Sequence, residues 1–483
     1  MNNEVIYSGG DLMKPMTWER SWILAVLSLA WFLAGCGGGS RTAAPTPAPV
    51  SVAVSVSPSS ATLDQGATRQ FTATVTGSAN TAVTWSVQES GGGAITSAGL
   101  YTAPNTAGTF HVVATSQADP TKAAIAIATV VLTSAGQFAA TGSLATSRVY
   151  HTATLLSDGR VLVTGGLNEN RSNFTFFAIS SAELFDPVTG TFSTTGAMNH
   201  PRSSHTATLL EDDTVLVAGG HDANGPVTTA EIYNPVTGAF SMAGDLSVAR
   251  STHTATRLAN GTVLIAGGYS GDDFQPALGT AEIYDPATGA FASAGQLRVA
   301  RVRHSASLLL NGQVLLAGGF TNTNNGQATF SAELYDPSIG MFFVTGNMTS
   351  ARGRFVASVL PDGKVLVAGG EDDLKFLATA EVYDPDIGSF FAEGAMNQPR
   401  TEFAGVTLQD GTVLVCGGPV FAASSVSAEL FRPGTGTFEA TGSMASDRVA
   451  GHTATLLADG RVLVIGGWDN DSVILSTAEL YTP

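Results

Sequence analysis

Cysteine and positive charge are both scarce in this sequence. Only two cysteines, Cys36 and Cys416, occur in 483 residues, and such a pair indicates no disulfide framework. The 22 lysines and arginines are outnumbered by 39 acidic residues, which gives a formal net charge of −17 at pH 7. Because proteins that bind nucleic acid present clustered basic side chains, we expect no nucleic-acid partner.

Long apolar runs and helical periodicity are nearly absent. One extended apolar run, SWILAVLSLAWFLAG, covers Ser21 to Gly35 and follows Lys14 and Arg20. It is too short for a comfortable membrane span and is typical of a signal peptide. After it, short runs of Val, Leu and Ile recur among many Gly, Ser and Thr, a pattern that predicts an all-β protein.

The end of the apolar run indicates a lipid anchor. Its last residues, Leu-Ala-Gly-Cys ending at Cys36, resemble the bacterial lipobox. The resemblance implies a diacylglyceryl group on Cys36, which becomes the mature N-terminus, and Gly37 favours the outer membrane or the cell surface. The alternative is a buried cysteine after an ordinary signal peptide. Three methionines are candidate start positions: Met1, Met13 and Met16.

Three segments precede the repeated part of the chain. Residues 1–36 are predicted to form the signal peptide and lipobox, and residues 37–49 a linker rich in Gly and Pro. Residues 50–134 alternate small and β-branched residues at the spacing of a β-sandwich. The stretches FTATV, VTWSV and GLYTAP resemble the bacterial Ig-like group 2 family, which implies an Ig-like sandwich acting as a spacer or an adhesive unit.

From Gly136 onward the chain repeats itself seven times. A Gly-Gly pair closes an apolar run in every copy, and we number repeats 1 to 7 by these pairs, which begin at 165, 219, 267, 318, 369, 417 and 466. Each copy has an Ala-Glu dipeptide before an apolar and an aromatic residue, with Glu at 183, 231, 282, 333, 381, 429 and 479. Gly-x-Phe units complete the pattern, with Phe at 138, 192, 240, 291, 342, 390 and 438.

These repeats resemble the kelch motif, and seven copies imply a kelch β-propeller like the central domain of galactose oxidase. The Phe138 unit precedes every Gly-Gly pair, and Pro483 comes just after the seventh Ala-Glu. Seven four-stranded blades therefore form only if the strand near Phe138 completes repeat 7. We expect an all-β chain in which residues 136–483 form a seven-bladed kelch propeller, preceded by the Ig-like sandwich.

Strand composition within a repeat agrees with this resemblance. The first strand, HTATLL in repeat 1, has small and β-branched residues, and the second, RVLVTGG, is apolar on both faces, which predicts burial between neighbouring blades. Asp-Gly or Asn-Gly joins these strands in six repeats and predicts tight hairpins with positive φ. Asp212-Asp213 is the exception.

An arginine precedes the first strand of every repeat, at positions 148, 202, 250, 301, 352, 400 and 448. These arginines match the Ala-Glu glutamates in number. We expect each arginine to form a buried, bidentate ion pair with a glutamate, because a binding site has no need of the same pair in every repeat. The alternative is a charged ring that binds a ligand.

Tyr150 and His151 raise the question of a metal site. The segment RVYHTATLLSDGRV resembles the part of galactose oxidase and its copper-radical relatives in which an adjacent Tyr and His bind copper. That family also needs a tyrosine cross-linked to a cysteine and a histidine from a later domain, and neither is matched here. His205, His253 and His304 occupy the place of His151 in other repeats. We therefore interpret His151 as part of the frame, Cys416 as a small buried side chain, and expect no cofactor.

A ligand site is expected where the repeats differ. The connections between second and third strands vary from 9 to 15 residues and share a face with those that lead into each first strand. Two residues after each repeat arginine the side chain changes, in the order Tyr150, Ser204, Thr252, Arg303, Arg354, Glu402 and Ala450. In eukaryotic kelch domains the matching position faces a peptide-binding pocket. We predict ligand-binding residues at Tyr150, Arg303, Arg354, Glu402 and Trp468, and the alternative is a solvated, variable rim.

These features predict an exported, lipid-anchored protein whose propeller binds a protein or glycan. Arg303 and Arg354 lie in adjacent repeats of an acidic protein, which favours an acidic peptide or anionic glycan. A non-enzymatic, monomeric protein is the favoured interpretation. A copper oxidoreductase like galactose oxidase and a purely structural envelope component stay open.

Overall fold

The computed structural model describes residues 51–64, 66–104, 106–131, 136–170, 172, 175–271, 277–321, 327–418 and 425–483. These residues form 41 β-strands and no α-helix, so the prediction of an all-β protein is confirmed. Within them, no helix has the length and apolar character needed to cross a membrane. The predicted signal peptide, Cys36 and the predicted linker 37–49 lie outside the described residues.

Two compact units divide the described residues, and the first ends at Val130. Its strands are β1 (Ala53–Ser57), β2 (Ser60–Asp64), β3 (Thr68–Gln70), β4 (Thr72–Thr76), β5 (Val83–Val87), β6 (Ala94–Ile95), β7 (Leu100–Thr102), β8 (Gly108–Ser116) and β9 (Ala123–Val131). They form sheets with the orders β1-β4, β2-β9-β8-β5 and β3-β7-β6. Phe71, Tyr101 and Val112 are fully buried in one core that these sheets share.

The second unit runs from Val131 to Pro483 and begins with β10 (Gln137–Ala140). Repeat 1 contains β11 (Thr152–Leu155), β12 (Val161–Thr164), β13 (Leu167–Asn170), β14 (Thr175–Ala178), β15 (Ala182–Asp186) and β16 (Thr191–Thr194). Repeat 2 contains β17 (Thr206–Leu209), β18 (Val215–Ala218), β19 (His221–Asp222), β20 (Gly225–Pro226), β21 (Ala230–Asn234) and β22 (Ala239–Met242).

The later repeats have four strands or fewer each. Repeats 3 and 4 contain β23 (Thr254–Arg257), β24 (Val263–Ala266), β25 (Thr280–Asp285), β26 (Ala290–Gln296), β27 (Ser305–Leu308), β28 (Val314–Ala317), β29 (Ala332–Asp336) and β30 (Met341–Val344). Repeats 5 and 6 contain β31 (Val356–Val359), β32 (Val365–Ala368), β33 (Ala380–Asp384), β34 (Ser389–Ala392), β35 (Ala404–Thr407), β36 (Val413–Cys416), β37 (Ala428–Arg432) and β38 (Thr437–Ala440). Repeat 7 contains β39 (Thr453–Leu456), β40 (Val462–Ile465) and β41 (Ala478–Thr482).

Each repeat builds one four-stranded antiparallel sheet. In repeats 1 to 6 the strands follow chain order, as in β17-β18-β21-β22, and we call the fourth strand of each sheet its outer strand. The sheet of repeat 7 has the order β10-β41-β40-β39, so β10 takes the outer position. Phe138 pairs with Tyr481 at a ring distance of 4.9 Å, which matches the 4.8 Å between Tyr233 and Phe240 in repeat 2.

Local sequence explains the two central features of each sheet. All four residues of every second strand are buried, as the apolar runs predict. The Asp-Gly and Asn-Gly turns have positive φ at glycine, for example 88° at Gly159. Asp213 replaces that glycine in repeat 2 and adopts the same left-handed region with φ 67°.

The hydrophobic core of the second unit lies between consecutive sheets. One buried cluster combines Val161 and Phe185 of repeat 1 with Leu463 and Leu480 of repeat 7. Each first strand packs against the next, and β11 contacts both β17 and β39. The segments before the first strands of neighbouring repeats therefore lie close together, which positions the residues described next.

Candidate functional site

Every repeat arginine is buried against the glutamate of its own repeat. Arginine Nη2 lies 2.7 to 3.2 Å from glutamate Oε1 in all seven pairs. In repeat 1, Oε2 of Glu183 accepts the Ala145 N–H, and Nη1 of Arg148 donates to the Gly165 carbonyl. The prediction of a bidentate ion pair is wrong. The second carboxylate oxygen accepts backbone N–H groups of the loop, and the second guanidinium nitrogen donates to a backbone carbonyl. The pairs hold the loop before each first strand.

The histidines that follow these arginines belong to the same frame. His253 Nε2 lies 3.0 Å from Thr206 Oγ1 of the preceding repeat, and a Cβ on Gly219 would come within 2.7 Å of the His253 ring. Phe355 takes the same place in repeat 5, against Gly318. Burial lowers the pKa of His253 to about 3, so the ring is neutral.

Tyr150 and His151 have different partners. His151 is buried, and its Nε2 lies 3.1 Å from Thr453 Oγ1 of repeat 7. The Tyr150 hydroxyl instead donates to Glu402 Oε2 of repeat 6 at 2.9 Å. Cys416 is fully buried, and burial raises its pKa to about 12. The residues that the structure describes contain no cluster of three or more His, Cys, Asp or Glu arranged to hold a metal.

One residue of each repeat adopts left-handed backbone geometry just before the frame histidine or phenylalanine. These ring residues are Tyr150, Ser204, Thr252, Arg303, Arg354, Glu402 and Gly451, with φ between 51° and 66°. The seventh member is Gly451, so the sequence assignment of Ala450 is wrong. Repeat 7 has one extra residue between Arg448 and His452. Ala450 forms a β-bridge with Trp468, as Val149 does with Leu167.

Backbone hydrogen bonds join the ring residues of neighbouring repeats. Among the described residues, six ring residues donate their backbone N–H to the backbone carbonyl of the ring residue in the preceding repeat. The bonds run from Ser204 to Tyr150, Thr252 to Ser204, Arg303 to Thr252, Arg354 to Arg303, Glu402 to Arg354, and Tyr150 to Gly451. Their lengths run from 2.9 to 3.3 Å. The bonds hold side chains that are far apart in sequence beside one another at the axis.

Glu402 is the centre of the contacts between ring side chains. It accepts the Tyr150 hydroxyl through Oε2, and its Oε1 lies 2.9 Å from Arg354 Nε and 3.4 Å from Arg303 Nη1. Arg354 Nη1 also donates to Glu371 Oε1 at 2.7 Å. The cluster of two guanidinium groups and two carboxylates is electrically balanced. It is also partly open to solvent, since Arg303 and Arg354 are 34% and 31% exposed.

Aromatic side chains form the adjoining wall. The rings of Tyr150 and Trp468 meet edge to face at 5.5 Å, and Phe176 meets Trp468 at 5.8 Å. Phe176 lies on the β13–β14 hairpin and is 52% exposed. Burial, followed by the charge of Glu402, raises the pKa of Tyr150, so its hydroxyl stays protonated and acts as a donor.

Comparison with known proteins agrees with the repeated fold. A model of the kelch motif matches residues 201–247 and 352–390. Among solved structures, a novel fungal alcohol oxidase of the AA5 family, in complex with copper, matches with a TM-score of 0.59 and 16% sequence identity. The match covers 72% of this chain and 76% of that chain, and at this identity the likeness shows the fold alone. The second unit has a β-propeller fold and contains kelch motifs. No match is found among the curated proteins.

The propeller brings together all five predicted ligand-binding residues. Tyr150 contacts both Glu402 and Trp468, and Glu402 contacts Arg303 and Arg354. We call the ring residues, together with the described residues that directly follow a Gly-Gly pair, the mouth of the propeller.

The variable connection between the second and third strands of repeat 5 contains Glu371, and its role as a partner of Arg354 was not predicted from the sequence. Glu371 directly follows the Gly-Gly pair of repeat 5, where repeat 7 has Trp468 and repeat 4 has Phe320. Its bridge to Gly353 sets it beside the ring residue Arg354. The changing residue type after each Gly-Gly pair is the signal that identifies this second row of the mouth.

Proposed function

We propose that this protein is a surface-anchored binding module whose propeller mouth captures a glycan without net charge. The observation that carries the proposal is the Glu402 cluster beside the Tyr150, Trp468 and Phe176 rings. A saccharide presents hydroxyl groups around its edge and C–H groups on its faces. Charged groups that are already paired supply fixed donors and acceptors, and aromatic faces cover the apolar side of a sugar ring.

Charge balance distinguishes this ligand class from the anionic ligand that the sequence favoured. An acidic peptide or anionic glycan would need Arg303 and Arg354 to be free. Both guanidinium groups already lie against Glu402, and Arg354 also against Glu371. An anion would have to displace a carboxylate, whereas a neutral saccharide can add to the existing network.

The architecture we propose is a seven-bladed propeller closed by β10. Support comes from the pairing of β10 with β41 and from the contacts of β11 with both β17 and β39. We further propose that residues 50–134 are an Ig-like sandwich acting as a spacer or an adhesive unit. The core that the sheets of the first unit share supports the sandwich.

Export and lipid anchoring at Cys36 complete the proposal. They rest on the apolar run and the lipobox-like residues before Cys36. The intact mass of protein extracted from membranes tests this point. A diacylglyceryl group on Cys36 is expected, and an unmodified Cys36 would remove the anchor from the account.

The residues around Tyr150 do not fit a copper-radical centre. Tyr150 is engaged with Glu402, His151 lies between repeats beside Thr453, and Cys416 is fully buried in a second strand. No tyrosine and cysteine pair adjoins these side chains in the described part of the chain. Stoichiometric copper together with peroxide production from an alcohol would favour the oxidoreductase instead.

Parallel glycan and peptide arrays test the proposed function. We expect the full chain to bind neutral saccharides and to keep that binding at high salt, because the mouth cluster is electrically balanced. Binding to peptides alone would make the propeller a protein-binding module. Failure to bind either array would favour a structural envelope component.

A further inference from the structure

A second group of side chains lies in the part of the mouth that repeats 2 and 3 form. His221 and Tyr269 directly follow the Gly-Gly pairs of these repeats, and their rings lie 6.5 Å apart. β-Bridges set both residues beside the ring residues Ser204 and Thr252. We call these four residues the second flank. It combines two ring side chains with two hydroxyl groups, and all four residues are half-buried.

The second flank and Trp468 lie on opposite sides of the mouth. Trp468 belongs to repeat 7, whose ring residue is Gly451. Backbone hydrogen bonds lead from Gly451 by way of repeats 1 and 2 to Thr252 of repeat 3. These three steps are the largest separation in the ring of seven proposed above. Hydrogen-bonded backbone segments lie about 4.8 Å apart, so positions three steps apart in such a ring lie about 11 Å from each other. One sugar ring does not reach across this distance.

A bridge of side chains crosses the mouth between the two sides. Tyr150 donates to Glu402 Oε2, and Glu402 Oε1 lies 3.4 Å from Arg303 Nη1. These residues belong to repeats 1, 6 and 4, so their contacts cross the ring instead of following it. Among the described residues, Arg303 uses only Nη1 in a side-chain hydrogen bond. Its Nε and Nη2 are left to donate, and its backbone N–H donates to Thr252 of the second flank.

The other described residues that follow Gly-Gly pairs have different surroundings. Phe320 lies against the guanidinium group of Arg354, with 5.9 Å between its ring centroid and Arg354 Cζ. Glu371 accepts a hydrogen bond from the same guanidinium group, and Leu167 has no ring. Within this second row of the mouth, the rings of the second flank are therefore the ones that face the Trp468 side without covering an arginine.

We infer that the mouth binds a neutral oligosaccharide of at least three sugar units. One end unit lies on the aromatic wall at Trp468, the other lies on the second flank, and a middle unit lies over the bridge. The ring side chains cover the C–H faces of the end units, and the hydroxyl groups of Ser204 and Thr252 exchange hydrogen bonds with sugar hydroxyls. The inference rests on the proposed function and adds the length of the ligand to it.

Calorimetric titration of the detergent-extracted full chain tests the inference. The probes are β-1,4-linked oligomers of glucose, of mannose and of N-acetylglucosamine, each one to four units long. In a series that binds, the association constant should rise at least about tenfold from one unit to three, because only the longer chain contacts both sides of the mouth. The step from three units to four should change it much less.

Two substitutions in the second flank locate the added contacts. Tyr269→Leu should weaken binding of the trimer at least about fivefold more than binding of the monomer, and leucine suits the site because Leu167 occupies the matching position of repeat 1. Ser204→Ala is a smaller change at a ring residue and should act in the same direction. Ser193→Ala, in the outer strand β16, is the control and should leave the whole length series unchanged. Thermal melts check that every variant is folded.

The outcomes separate this inference from the proposed function. Equal affinities of monomer and trimer in a series that binds would overturn the inference and leave saccharide binding in place. Folded second-flank variants that bind the trimer as the parent does would also overturn it. Absence of binding by all three series would overturn it as well, and the glycan array then decides whether the proposed function stands.

Discussion

The arginine and glutamate of each repeat illustrate how single residues hold the propeller together. Each arginine is fully buried, so removal of its charge from water is costly. The cost is offset because Arg202 donates to Glu231, to the Gly219 carbonyl and to the Thr229 carbonyl. Glu231 in turn accepts the N–H of Asn199. Such a pair fixes the loop before the first strand to its sheet. Loss of one member leaves the charge of the other buried and unpaired.

Glu231→Gln should therefore be strongly destabilising. The amide keeps the size of the side chain but leaves Arg202 charged and buried, and we expect the free energy of unfolding to fall by about 3 kcal/mol. Asp158→Asn is the control, since the Arg160–Asp158 pair is 36% and 45% exposed and should contribute less than about 1 kcal/mol. Urea unfolding measures both values. Equal, small losses would mean that the buried pairs contribute little.

The buried histidines make the propeller sensitive to acid. Burial lowers the pKa of His452 to about 4, below the value of about 6.5 expected for an unfolded chain. The unfolded chain therefore takes up a proton that the folded chain refuses in this interval. The contribution of neutral His452 to the free energy of unfolding is therefore complete above pH 6.5 and is lost as the pH falls toward 4.

His452→Phe should reduce the acid sensitivity of the propeller. Phenylalanine fits because Phe355 and Phe403 occupy the same place in repeats 5 and 6. Between pH 6 and 5 the variant should gain about 1.4 kcal/mol per pH unit relative to the parent, measured by urea unfolding. Ser193→Ala, in the outer strand β16, changes no titratable group and should leave the pH slope unchanged. A parallel pH dependence of the His452 variant and the parent would contradict the argument.

Strand elements show what repetition makes predictable. The buried second strands and the arginine–glutamate partners recur in every copy, and the Gly turns in six copies, so their pattern is visible in the sequence and the structure contains them. After the Gly-Gly pair, the hairpin β13–β14 forms in repeat 1 and the short pair β19–β20 in repeat 2, whereas the described residues of repeats 4, 5 and 7 form a single bridge there. Comparison of the repeats could not predict the different extent of this pairing, because the sequences of these loops vary.

Outer strand β10 provides a test at this scale. Deletion of residues 136–142 should remove the Phe138–Tyr481 contact, expose the edge of β41 and lower the melting temperature by at least about 5 °C. The same seven residues, attached after Pro483 through Ala-Thr, would recreate the Pro-Ala-Thr-Gly turn of residues 286–289 and should restore stability. A deletion variant as stable as the parent would mean that β10 does not close repeat 7.

At the scale of the whole molecule, sequence located the mouth but not its contacts. Counting two residues from each arginine gave six of the seven ring residues and failed in repeat 7, where one residue is inserted. Tyr150 and Glu402 are 252 residues apart and belong to different repeats. Their hydrogen bond depends on the ring geometry and on side-chain conformation, which no local pattern specifies. The charge balance in the mouth therefore could not be predicted from the sequence.

The account depends most on the claim that the mouth binds a saccharide through its aromatic wall. Calorimetric titration of the best array saccharide into the parent, Trp468→Leu and Ser193→Ala tests it directly. Leucine retains apolar packing, as Leu167 does at the matching position of repeat 1, but lacks a flat ring, while Ser193 lies in the outer strand β16 and outside the mouth. We expect at least tenfold weaker binding for Trp468→Leu, about 1.4 kcal/mol, and unchanged binding for Ser193→Ala. Equal affinity of parent and Trp468→Leu would contradict it.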